Sequence, residues 1–147
     1  MAKMKRTDCE MHEEKLRQMY IATLPAKRWG TIKQRLASPE SGPNLLIIYV
    51  SAVEALARSI AVHSSTAPEI AYKKLKFQRA KDLLEIVAEK RLQKTASDVF
   101  GAQDFESFEC AEKYRDLLVH ECTSLRQGFT GEMIQVCDRI LTRLRKI

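Results

Sequence analysis

Glycine and proline are scarce in this chain, at five and four of 147 residues. Few positions can therefore supply the φ > 0 turns that a succession of short hairpins demands. β-branched residues rarely alternate with polar ones, so the period-two signature of half-buried strands is missing as well. Cysteine occurs four times, at Cys9, Cys110, Cys122 and Cys137, with no CxxC pair and no spacing that matches a histidine couple. A closed zinc site needs four converging ligands, which this distribution does not offer. No metal and no cofactor is expected, and unpaired thiols in a chain of this size suit a reducing compartment. A long uninterrupted apolar run is also lacking. The longest, 45–62, is broken by Glu54 and Arg58, which predicts a buried helix rather than a membrane span. Residues 1–15 are charged throughout and have no apolar core of a secretory signal. These features predict a cytoplasmic protein with no membrane partner. The charge excess is modest, 25 basic against 19 acidic residues for a net of +6. It permits a polyanionic partner without requiring one.

What remains is ordinary globular material, 45% hydrophobic and 30% charged. A chain of this length buries about 70% of its unfolded surface in one domain. The expected fold class is all-α, a four- to five-helix bundle, with 1–147 as a single helical domain. Within it, 1–43 would hold N-terminal helices and a loop, and 44–147 the core bundle. The apolar spacing predicts helices over 8–23, with Met11, Leu16, Met19 and Tyr20, and over 27–36, with Trp29, Ile32 and Leu36. Segment 38–43 is rich in turn formers and reads as a loop. Segment 44–63 is apolar nearly all round, which predicts a central helix. Segment 69–92 reads as helical with an interruption near Phe77, its second part being 81–92. Segment 95–101 reads as a connector, 103–120 as a helix, 123–131 as a turn with Gly128 and Gly131, and 132–145 as the last helix.

Two features depart from this plain pattern. At about 100° per residue, Asn44, Ser51, Glu54 and Arg58 fall within an arc of roughly 80° on the otherwise apolar helix. Buried polar groups are costly unless paired, so the stripe is either aimed at a site or is an exposed i,i+4 ion pair between Glu54 and Arg58. The second feature is Arg115, Asp116, Leu117, Leu118, Val119, His120 near a helix end. Arginine neutralises phosphate oxygens and histidine shuttles protons, a pairing suited to phosphoryl chemistry. On an ideal helix the two side chains diverge by about 140°. They converge only if the helix end turns, or if a second chain completes the site. The similar spacing of Arg58 and His63 lacks that context, and His63 reads as a helix C-terminal residue favoured by the dipole. The cluster Lys73, Lys74, Lys76, Arg79 and Lys81, with Tyr72 and Phe77 interleaved, suits an RNA backbone with stacked bases. It equally suits a solvated helical face with the aromatics turned inward.

The Arg115–His120 stretch, its polar second position and its place before the last helix resemble the HEPN superfamily (higher eukaryotes and prokaryotes nucleotide-binding domains). The run from Tyr49 to Ser59 is similar to that family's central helix, whose polar residues face the motif. The resemblance covers roughly residue 45 to 147 and implies a HEPN-like bundle. It also implies a homodimer whose two motifs meet in one cleft, and metal-independent endoribonuclease activity of the toxin, phage-defence or RNA-processing kind. His120 would be the general acid or base and Arg115 the phosphorane-stabilising group. Asp116, one turn before His120, would orient its imidazole if the last turn stays helical, or else form a surface ion pair with Lys113 or a helical neighbour. RNA and a cognate antitoxin or regulator would be the partners. Where one branch of the family has a tyrosine two residues after the histidine, this chain has Cys122, so control through that tyrosine is not implied. The alternatives are a non-catalytic helical interaction or regulatory module and an RNA-binding protein without cleavage activity.

Overall fold

The computed structural model describes residues 3–123 and 129–147, and among them every regular element is a helix. The all-α class is therefore shown, with eight helices among the described residues: α1 (Arg6–Ala22), α2 (Pro25–Leu36), α3 (Gly42–His63), α4 (Pro68–Leu75), α5 (Ala80–Leu92), α6 (Ala96–Phe100), α7 (Ala102–His120) and α8 (Thr130–Arg145).

Helix α3 is the axis. It packs against α2, α4, α5, α7 and α8 and touches α1, as its all-round apolar surface predicts. Leu46, Val50, Val53, Ala57 and Val62 of α3 are fully enclosed. They join Leu83, Leu84 and Val87 of α5, Phe100 of α6, Phe108 of α7 and Ile32 of α2 in one continuous core. Helix α8 supplies Val136, Cys137, Ile140, Leu141 and Leu144 to the same core, the one-sided spacing of an amphipathic helix. Among the described residues α3 alone has the length and apolar composition to cross a membrane, and over half of its most apolar window is buried inside the fold.

Two expectations need correction. Segment 95–101 is not a plain connector, because Thr95 Oγ1 accepts the Asp98 N–H at 3.2 Å and caps the short helix α6. Only Gly101 separates α6 from α7, and its φ of +89° is the backbone freedom that reversal needs. In α1 the apolar positions Met11, Leu16 and Met19 are exposed, and no α1 residue is buried. The helix is held instead through half-buried Tyr20, whose hydroxyl donates to the Ala55 carbonyl at 3.2 Å. The Tyr20 ring lies 5.2 Å from that of Tyr72 and beneath the Arg28 guanidinium. Segment 69–92 is two helices, α4 and α5, with the break at 76–79 that Phe77 marks. Of the turn expected over 123–131, residues 124–128, including Gly128, lie outside the described residues.

Helices α7 and α8 are joined by a two-pronged ion pair, Arg139 Nε to Asp104 Oδ2 at 2.9 Å and Nη2 to Oδ1 at 3.0 Å. The hydrogen bond from Arg139 holds the Asp104 carboxyl below its ordinary 3.8. A lowered carboxylate pKa adds stability above the ordinary value and loses it as pH falls through the lowered one. Arg139 is half exposed, so solvent screening keeps the benefit at about 1 kcal/mol or less. Asp104→Asn should lower urea-unfolding stability by that amount at neutral pH and low salt. The gap between parent and variant should close in acid. Equal stability at neutral pH and low salt would contradict a bridging role.

Candidate functional site

Burial of α3 leaves the problem of its polar stripe, and the structure solves it with α7. That helix packs beside α3 and presents Arg115 to it. Arg115 Nη1 donates to Ser51 Oγ at 3.4 Å, Nη2 lies 3.6 Å from Glu54 Oε1, and Nε donates to Asp116 Oδ1 at 2.9 Å. The second Glu54 oxygen faces Arg58 Nη2 at 3.7 Å. Arg58 in turn donates to the carbonyls of Leu75 and Gln78 at 3.2 and 3.3 Å. Carbonyls at a helix end lack intrahelical partners, so Arg58 closes the end of α4. Ser51 and Glu54 thus face the motif helix, while Arg58 pairs with Glu54 and turns to the α4–α5 break instead. Asn44 does not join them; it is exposed and donates to Glu40 at 3.2 Å.

The α7 side of the cluster extends to the α4–α5 break. Asp116 Oδ2 accepts from Arg79 Nη2 at 3.2 Å, and Arg79 Nε lies 3.8 Å from Glu112 Oε1. Glu112, only 2% exposed, accepts the Ala80 N–H through Oε2 at 2.6 Å and satisfies the first turn of α5. Desolvation pushes the Glu112 carboxyl above its ordinary 4.5. The N–H groups of Ala80 and Lys81 and the charges of Arg79 and Arg115 pull the other way.

His120 stands apart. Helix α7 stays helical through His120, so Arg115 and His120 keep their divergence of about 140°. His120 is exposed, and among the described residues it makes no hydrogen bond or ion pair. Asp116 does not orient it, because both Asp116 oxygens are taken by Arg79 and Arg115. Of the two surface pairs expected of Asp116, the one with Lys113 is absent, Lys113 lying 3.5 Å from Glu109, and the one with a helical neighbour is made to Arg115.

The basic cluster is divided. Lys73 and Lys74 are exposed at the end of α4, while Lys76 lies past its end, over the exposed Phe77 ring at 4.9 Å. Arg79 belongs to the motif network, and Lys81 Nζ donates to Glu109 at 3.2 Å. Tyr72 is turned inward and Phe77 is not, so neither expected arrangement of the two aromatics holds for both. Sequence reasoning missed Glu112 and the structural place of Arg79. The signal was present: Glu109, Glu112 and Asp116 recur at three and four residues, which sets an acidic stripe on one face of α7.

Cys9, Cys110 and Cys122 are exposed free thiols and Cys137 is buried. Among the described residues no three His, Cys, Asp or Glu side chains gather as metal ligands. No family model, curated protein or solved structure matches the chain.

Glu112 provides a test of this geometry. A raised carboxyl pKa gives stability that is full below the ordinary 4.5 and is lost as pH rises through the higher folded value. Glu112→Gln retains an acceptor for Ala80 and removes the charge, so its melting temperature relative to the parent should rise across that window. Glu112→Ala should cost about 1–2 kcal/mol at any pH by stripping the α5 cap. A glutamine variant as unstable as the alanine variant would show that the charge, not the acceptor, is needed.

Proposed function

We propose that this chain is a HEPN-like helical endoribonuclease that cleaves RNA as a cytoplasmic homodimer and needs no metal ion. The observation that supports it most is Ser51 and Glu54 of α3 gathering on Arg115 of α7, with Ser51 and Arg115 64 residues apart. That is the relation between central helix and motif that the sequence resemblance implies. An arginine held in place by fixed partners is preorganised for a charge that develops nearby. His120 would take the proton from a ribose 2′-hydroxyl as that oxygen attacks phosphorus. Arg115 would stabilise the added negative charge. The 5′-oxygen would leave with a proton from a second histidine, giving a 2′,3′-cyclic phosphate and a 5′-hydroxyl end.

One chain cannot bring both groups together, because α7 remains helical between them. A two-fold axis can, since one patch on two subunits contributes two arginines and two histidines. Leu117 and Val119, both exposed between Arg115 and His120, supply apolar surface for such a contact. Lys73, Lys74 and Lys76 would lie along the RNA backbone, with Arg79 reaching it from the network. A cognate antitoxin or regulator would be the protein partner.

A second reading rests on the same arginine. Arg115 is only 15% exposed and has three acceptors around it, the arrangement of a structural clamp. A helical interaction module without catalysis would keep this clamp and have no use for His120.

The two readings diverge under mutation. With mixed RNA and EDTA, the parent should cleave, and His120→Ala should lose about a hundredfold or more of the rate with an unchanged melting temperature. Glu54→Gln should reduce cleavage more than it reduces stability. Mixing excess His120→Ala chains into the parent should suppress it as mixed dimers form. Cleavage that is abolished by EDTA, a stable monomer in analytical ultracentrifugation, or full activity of His120→Ala would each overturn the composite site.

A further inference from the structure

The face of α3 opposite the stripe borders a second site. Counting about 100° per residue, Leu56, Ile60 and His63 point roughly away from Ser51, Glu54 and Arg58. They line a cleft of about 530 Å³ with the start of α2, Arg91 of α5 and the end of α8. This volume is within the usual range for small-molecule pockets. Leu24, Leu56, Ile60 and Leu144 give it an aliphatic wall, and Trp29 an aromatic one.

Its polar side chains are two arginines and a histidine. The Arg145 guanidinium lies over the Trp29 ring at 4.3 Å, and among the described residues its N–H groups meet no hydrogen-bond acceptor. Arg91 donates through Nε to the neutral Ser64 hydroxyl at 2.7 Å. Among the described residues neither arginine meets a carboxylate, whereas Arg58, Arg79, Arg115 and Arg139 all do. His63 completes the lining, and its Nε2 is buried without a hydrogen-bond partner. Unpaired cations beside an apolar wall are complementary to a molecule with one anionic end and an apolar body.

We propose that this cleft binds a small carboxylate with an apolar body, Arg91 and Arg145 supplying the charge and Trp29 with the aliphatic wall holding the body. The site shares no residue with the Arg115 network, so it stands whether or not the chain cleaves RNA. Trp29 is the only tryptophan in the chain, and its emission reports directly on the cleft. Octanoate and phenylbutanoate serve as probes, with octanol and phenylbutanol as uncharged controls. At least one acid should give a saturable change in Trp29 emission, confirmed by calorimetry, and bind about tenfold more tightly than its alcohol, as one charge-assisted hydrogen bond predicts. Arg91→Met and Arg145→Met, checked for intact helicity, should each weaken the acid by a similar factor and leave the alcohol nearly unchanged. Preference for either acid supports the site and identifies the body as aliphatic or aromatic. Failure of both acids to saturate, equal affinity for acid and alcohol, or undiminished acid binding in both arginine variants would overturn the proposal.

Discussion

Glu54 is the charge around which α3, α4, α5 and α7 meet. This carboxylate sits midway along the helix that α1, α2, α4, α5, α7 and α8 surround, and its side chain is 26% exposed, so solvent screening keeps each of its ion pairs at about 1 kcal/mol or less. Arg58 reaches it from the same helix and Arg115 from α7, one guanidinium near each oxygen. Placement of α7 beside α3 is therefore favoured by charge as well as by packing. The apolar groups around α3 account for burial in general, and the Glu54 pairs select which face of α3 meets α7.

The same pairs fix the chain break between α4 and α5. Arg58 holds the carbonyls of Leu75 and Gln78, and Glu112 holds the Ala80 N–H. One side of the break thus meets a cation and the other an anion, each matched to the partial charge of the helix end it serves. Four helices meet here through side chains whose positions are set by fixed backbone groups. A local change at Arg58 or Glu112 would shift Arg115 without touching it, because these groups share partners.

Much of this was legible in the sequence. The apolar spacing of α3 and α8 located both core helices, and within the narrow polar arc Ser51 and Glu54 lie on the face that meets α7 while Arg58 serves the α4–α5 break. Arg115 was identified by its motif. The remainder depended on long-range geometry. Arg79 reads in sequence as one more member of a basic run, and only the break at 76–79 turns it toward Asp116. Helix α1 has apolar residues at helical spacing, yet Met11, Leu16 and Met19 stay exposed because only Tyr20 finds a partner. Spacing reports which residues share a face, not whether another element covers it. Asp116 meets Arg79 and Arg115 and not His120, since adjacency on one helix says nothing of an arginine arriving from the α4–α5 break.

Charge balance constrains how any anion could enter the motif cluster. Arg58, Arg79 and Arg115 are met by Glu54, Glu112 and Asp116, three cations against three carboxylates, so with all six ionised the cluster has no net charge to offer a phosphate. A phosphate can be accommodated only where an arginine exchanges a carboxylate for it. Arg58 is the least suited, because two carbonyls hold it in addition to Glu54. Arg115 is largely enclosed. Arg79 is 56% exposed, and its contact with Glu112 is long at 3.8 Å, so the exchange there requires the least desolvation and rearrangement. Release of Asp116 by Arg79 would in turn leave Asp116 to Arg115 alone. On the ribonuclease reading, phosphate enters at Arg79 on the outer edge of the network, and Arg115 acts from behind it as the fixed inner charge.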